Sequence, residues 1–130
     1  MQVLRDTKGF TLVEILVATV IITIASLGIA TLTAGVITGN SFSKRLTIAT
    51  TLAQDRLEQA KRMGYTNAGT IAGTENYGNI ANYAGYKRVT SITNNTPMSN
   101  TRTFNVIVCW KPYNCDPDDP KVNLSTILGE

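Results

Sequence analysis

Lys8-Gly9-Phe10-Thr11-Leu12-Val13-Glu14 opens the stretch on which the fold of this chain turns. Behind it, from Ile15 to Gly39, no residue is charged. A run of that length can cross a bilayer as a helix of ~20 residues or more. The residues ahead of it carry Arg5 and Lys8 against the single Asp6, a positive balance that favours the cytoplasmic side of a membrane. One carboxylate, Glu14, stands at the start of the apolar run. An acid there needs a partner or a purpose, because a charge in hydrocarbon is costly.

A cleaved secretory signal also has a basic start and an apolar core, but that core spans ~7–15 residues and ends at a small-residue cleavage site. The uncharged run here is longer, and Glu14 would interrupt its beginning. A plain single-span anchor fits the length and leaves Gly9 and Glu14 without a role.

The helix is expected to continue past the apolar run. Beyond Asn40 and Ser41, apolar residues recur at Phe42, Leu46, Ala49, Ala53, Leu57 and Ala60 in steps of three and four, the spacing of one helical face. Ile48 and Leu52 widen that stripe, whereas Arg45, Gln54, Asp55, Glu58 and Arg62 lie off it, which makes this half amphipathic. Gly64 is the expected C-cap, with Lys61 and Arg62 placed to meet the negative end of the helix dipole. From Phe10 to Met63 such a rod would be about 80 Å long. Gly28, Gly35 and Gly39 each weaken its first half by roughly 1 kcal/mol relative to alanine, so any loosening is expected between Gly28 and Gly35. The hydroxyls of Thr19, Thr23, Thr31, Thr33 and Thr38 can bond back to helix carbonyls.

Residues 65–85 interleave Gly69, Gly73, Gly78 and Gly85 with Asn67, Asn76, Asn79 and Asn82, and with Tyr65, Tyr77 and Tyr83. No period survives there, so a long loop with at most a short helical turn is expected. Its tyrosines can either plug the core or contact neighbours. Three strands follow. They are Tyr86 to Ile92, then Arg102 to Trp110 with Phe104, Val106, Val108 and Trp110 alternating onto one face, then Lys121 to Leu128 with Val122 and Leu124 together. Asn94-Asn95-Thr96-Pro97 and Ser99-Asn100 read as the turn between the first two. The fold class is therefore α+β, with a long N-terminal helix packed on a small antiparallel sheet. It divides into a short N-terminal stretch (1–9), a helix (10–63, of which 10–39 is apolar all round and 40–63 amphipathic) and a head (64–130). So short a head cannot close a large core alone and must lean on the helix before it.

Composition limits function. The 130 residues include no histidine, which removes the commonest general base and the commonest metal ligand; no enzyme and no cofactor is expected. The net charge of +3 falls by one if residues 1–9 are removed, since Arg5, Lys8 and Asp6 go with them. That balance gives no indication of nucleic-acid binding and does not forbid it.

Gly9-Phe10-Thr11-Leu12-Val13-Glu14, close to the N-terminus and leading into a long uncharged helix, resembles the processing signal of type IV pilins and of the pseudopilins of type II secretion. The resemblance implies that a prepilin peptidase cuts between Gly9 and Phe10 and N-methylates Phe10, with Gly9 leaving room for the enzyme. It implies that the apolar half-helix is kept as the spine of a filament, and that Glu14 pairs with the Phe10 amine of an adjacent subunit. The partners so implied are other pilin or pseudopilin subunits, the peptidase, and the bacterial inner membrane, with the leader cytoplasmic and the head periplasmic before assembly. The Val106-x-Val108-x-Trp110 strand answered by Val122-x-Leu124-x-Thr126 also looks like the C-terminal hairpin of some minor pilins and pseudopilins. The small, irregular head points to a minor subunit of a pilus or pseudopilus.

In that periplasmic setting Cys109 and Cys115 are expected to form a disulfide, whose short loop would contribute roughly 2 kcal/mol. Metal binding lacks evident further ligands, and the spacing is wrong for redox work. Asp116, Asp118 and Asp119 cluster in a proline-rich loop and make a weak calcium candidate, since calcium takes oxygen ligands and some secretion pseudopilins bind it. A solvated turn is the simpler reading. The alternative to a structural subunit is a filament-borne binding module, an adhesin or DNA-uptake receptor, for which Lys87, Arg88 and Arg102 would form a small basic patch.

Overall fold

The computed structural model describes residues 9–130; Arg5, Asp6 and Lys8 of the expected leader lie outside the described residues. In chain order the elements are helix α1 (Leu12–Asn67), a 3-10 turn (Ala68–Ile71), and strands β1 (Gly73–Glu75), β2 (Tyr86–Asn94), β3 (Thr101–Trp110) and β4 (Lys121–Gly129). The chain divides into two compact units, one ending at Ser41 and the other spanning residues 42–130.

The first unit is the N-terminal part of α1. It is long and apolar enough to cross a membrane, and its large side chains, among them Ile15, Val20, Ile24, Leu27, Leu32 and Val36, are all exposed. Its polar atoms are turned inward instead. Thr23, Thr33 and Thr38 each donate a hydroxyl hydrogen bond to the carbonyl four residues back, at 2.7, 2.8 and 3.0 Å, and Thr19 and Thr31 bond three residues back at 2.8 Å. Ser26 does the same to Ile22 at 2.7 Å. The helix surface therefore presents hydrocarbon without stranded donors, as a lipid-facing segment requires. The helix runs unbroken through Gly28 to Gly35.

In the second unit the amphipathic stripe falls where its period places it. Ala49, Leu52, Ala53, Leu57 and Ala60 are buried and form one core with Phe104, Val106, Val108, Trp110 and Val122. Four of these helix positions are alanine or sit beside one, which lets the sheet approach the helix backbone closely. Phe42 and Leu46 lie at the rim, 46% and 40% exposed. At Gly64 the backbone leaves helical geometry (φ 70°, ψ 174°), a conformation that favours glycine. One more turn follows before the 3-10 segment, so Gly64 marks a kink rather than the end of the helix.

The sheet is antiparallel in the order β1-β2-β3-β4. The expected three strands are joined by a fourth. Within the stretch expected to be a loop, Gly73, Thr74 and Glu75 pair with Thr90, Val89 and Arg88. Three residues without an apolar period give no local signal; β1 exists because β2 offers it an edge. The expected helical turn in the same stretch is the 3-10 segment Ala68–Ile71. Between β2 and β3, Asn95 (φ 57°) and Asn100 (φ 59°) take left-handed backbone conformations, which asparagine tolerates better than most residues. The Asn95 N–H closes the turn onto the Thr101 carbonyl at 2.7 Å. The head's core thus draws on residues 42–63 as well as on residues 64–130.

Candidate functional site

At the expected cleavage point, Gly9 is exposed and a Cβ added there would meet nothing within 4 Å. The chain's own packing does not demand glycine there. Two residues on, the Thr11 hydroxyl accepts the Glu14 N–H at 3.2 Å. Thr11 is thereby the N-cap of α1, and Thr-x-x-Glu is the spacing of a capping box. The signal for this cap stands in the sequence itself, at Thr11 and Glu14. It puts Glu14 in the first turn, where the positive end of the helix dipole favours a carboxylate. Phe10, Glu14, Ile15, Ala18 and Thr19 line one shallow depression along this side of the helix, with Phe10 80% exposed. The carboxylate therefore sits beside an apolar surface open to a neighbour.

The head holds a charged cluster that the sequence did not reveal. Arg88 is only 7% exposed. Its guanidinium grips Glu75 with both arms, Nε to Oε2 at 2.6 Å and Nη2 to Oε1 at 2.9 Å, and Nη1 donates to the Leu52 carbonyl at 3.0 Å. Arg56 also donates to Glu75 Oε2, and to Gln59 Oε1 at 2.9 Å. The Arg88 hydrogen bond above all, with Arg56 assisting against the cost of burial, holds the Glu75 carboxyl below its ordinary value of 4.5. One carboxylate thus ties α1, β1 and β2 together. Glu75 and Arg88 are direct cross-strand partners, so the pairing that creates β1 also creates the cluster.

The expected basic patch does not come together. Lys87 and Arg88 alternate to opposite faces of β2. Arg88 is consumed by Glu75, and Lys87 donates to the Asn114 carbonyl at 3.3 Å. Arg102 reaches the Tyr65 carbonyl at 2.6 Å and lies 4.4 Å from the Tyr65 ring centre. Tyr65 and Tyr77 are partly buried in the head, while Tyr83 is exposed.

Cys109 and Cys115 are joined by a disulfide, with Cα atoms 5.5 Å apart. The Tyr77 hydroxyl covers this bond, 3.7 Å from the Cys109 sulfur, and donates to the Tyr113 carbonyl; burial raises its pKa, with Asp119 adding to the effect. The three aspartates of the adjoining loop do not converge: among the described residues no group of three His, Cys, Asp or Glu side chains is placed to hold a metal ion. Instead Asp119 Oδ2 accepts the N–H groups of Asn114 and Asp116 at 3.0 and 2.9 Å. The Lys121 ammonium donates to the Asp116 and Pro117 carbonyls at 2.8 and 2.7 Å. The loop braces itself.

Residues 4–30 match the family model of the prokaryotic N-terminal methylation motif. No curated protein and no solved structure matches the chain. The matched segment covers Gly9, Phe10 and Glu14 and runs on through the uncharged helix, and the head closes a four-stranded antiparallel sheet over the amphipathic part of that helix. The chain carries the N-terminal methylation signal of type IV prepilins on a pilin-like α+β fold.

Proposed function

We propose that the chain is a non-catalytic structural subunit, a minor pilin or pseudopilin, of a type IV pilus or a type II secretion-type filament. A prepilin peptidase removes residues 1–9 and methylates the Phe10 amine. The single-pass subunit then waits in the bacterial inner membrane with its head in the periplasm, and enters the filament through its N-terminal helix. The observation that carries this reading is the methylation motif over residues 4–30 at the head of a helix whose N-terminal part, up to Ser41, exposes all its large side chains. Such a surface needs lipid, and afterwards other helices, to cover it.

Glu14 is the assembly residue. A carboxylate in lipid-like surroundings costs on the order of 3 kcal/mol when uncompensated, less near an interface. The Phe10 ammonium of an adjacent subunit offsets that cost and sets the axial register of one helix against the next. Glu14→Gln keeps the shape and removes the charge. Its membrane insertion should match the unaltered protein while its recovery in sheared filaments falls about tenfold or more, the scale of a loss of ~1.4 kcal/mol or greater. Full recovery would contradict the pairing.

A further inference from the structure

We infer that the Phe42 end of the head is an interfacial surface, which rests on the outer headgroup layer of the membrane until the subunit is assembled; this builds on the membrane-spanning reading above. Three observations lead there. The first is position: Phe42 follows Gly39 by three residues, so this end of the head lies within about 11 Å of chain from the close of the uncharged run, whatever the conformation between them.

The second is side-chain type. Phe42 is half-exposed and meets Trp110 edge-on, with ring centres 5.8 Å apart; Trp110 in turn meets Tyr113 edge-on at 6.5 Å. Tyr83 is exposed at the same end, edge-on to Tyr86, the first residue of β2 and the partner of Trp110. Phe42 and Tyr83 are the exposed rings of this group, lying over the buried Trp110 and Tyr86. A tyrosine, apolar with a polar tip, settles where hydrocarbon gives way to water, and Phe42 adds apolar surface beside it.

The third is charge. Lys44, Arg45 and Lys111 are exposed, and the Arg45 guanidinium donates to the Lys111 carbonyl at 2.9 Å, fastening the start of the β3–β4 loop beside the helix. The same loop carries two exposed acids, Asp116 and Asp118, between Cys115 and β4. A basic, ring-lined rim fits anionic phospholipid headgroups, and each lysine or arginine near such a surface strengthens the contact about fivefold.

Trp110 is the only tryptophan, so fluorescence reports this one place in the full chain. The protein is reconstituted into phosphatidylglycerol-containing vesicles whose lipids carry a nitroxide either at the headgroup or at the chain end. The headgroup label should quench Trp110 strongly and the chain-end label weakly. The variant Lys44→Glu with Lys111→Glu, or raised salt, should relieve that quenching as the docked population falls by about fivefold per charge. Vesicle flotation of the same samples separates the two levels of the argument. Protein that floats with an unquenched Trp110, or with quenching indifferent to both charge reversal and salt, overturns the interfacial surface and leaves the span intact. Protein that fails to float overturns the span, and the surface with it.

Discussion

In residues 12–41, Leu12, Ile22, Leu27 and Val36 are exposed, whereas in residues 42–130 Phe104, Val106 and Val108 are wholly buried. The same kinds of side chain are spent in opposite ways. The head follows the rule of soluble proteins: apolar residues face one another, and Arg88, the one deeply buried charge, is matched by Glu75. The N-terminal segment follows the rule of membranes, in which backbone and hydroxyl groups satisfy one another within the helix and the hydrocarbon faces out. One region carries its own reason to fold. The other exposes hydrocarbon that its own chain does not cover.

That contrast can be broken by substitution. Phe104→Ala should have the largest effect, removing about 3–5 kcal/mol from the head and lowering its thermal midpoint in detergent. Leu27→Ala, which deletes as apolar a side chain from the other region, should leave the midpoint in place. Equal losses would show that the two regions are not independent. Next comes Glu75→Ala, which strands Arg88 and Arg56 and should cost about 3 kcal/mol, at the low end for a buried pair because Glu75 is partly exposed. The same residue sets an acid limb. Its folded pKa lies below the ordinary 4.5, so its contribution is complete above that value and is lost as pH falls through the folded pKa. A Glu75→Gln head should melt lower at neutral pH and respond less to acid than the unaltered one; parallel acid profiles would remove Glu75 from this role.

Replacing both Cys109 and Cys115 by serine should cost the head roughly 2 kcal/mol, read from the same melting curves with the unaltered protein under reducing conditions as its match. The smallest effect belongs to the N-terminal region. Thr11→Ala removes the cap that the Glu14 N–H uses and should cost about 1 kcal/mol of local helix stability. Amide exchange at Leu12 to Ile15 in micelles should quicken while the head's midpoint does not move; a shifted midpoint would again couple the two regions.

What was legible in the chain depended on how local its cause is. The stripe from Ala49 to Ala60, the alternation from Phe104 to Trp110 and the asparagine turn at Asn95 and Asn100 each follow from residues a few places apart, and the structure places them as their spacing predicts. The Cys109–Cys115 bond lies in the same class, six residues apart in sequence. β1 and the Glu75 cluster do not. Gly73-Thr74-Glu75 has no apolar face to display, and Glu75 acquires its meaning from Arg88, thirteen residues on in the chain, once β2 has formed. The basic residues Arg88 and Arg102 mislead for the same reason: a charge is visible in a sequence, but the carboxylate or carbonyl that consumes it is not. At the candidate site, Gly9, Phe10 and Glu14 stand out because they fall within one contiguous motif, the methylation signal over residues 4–30. The Thr11 cap lay within that pattern, hidden by its better-known neighbours.

The central claim is that residues 1–9 are removed and the remainder is kept as a membrane-borne helix with a modified first residue. Intact-mass analysis with N-terminal fragmentation of the membrane-extracted protein, expressed beside a prepilin peptidase, tests it directly. The expected product begins at Phe10 and carries one added methyl group on its amine. A chain that still begins at Met1, or that has been cut beyond Glu14, would contradict the account.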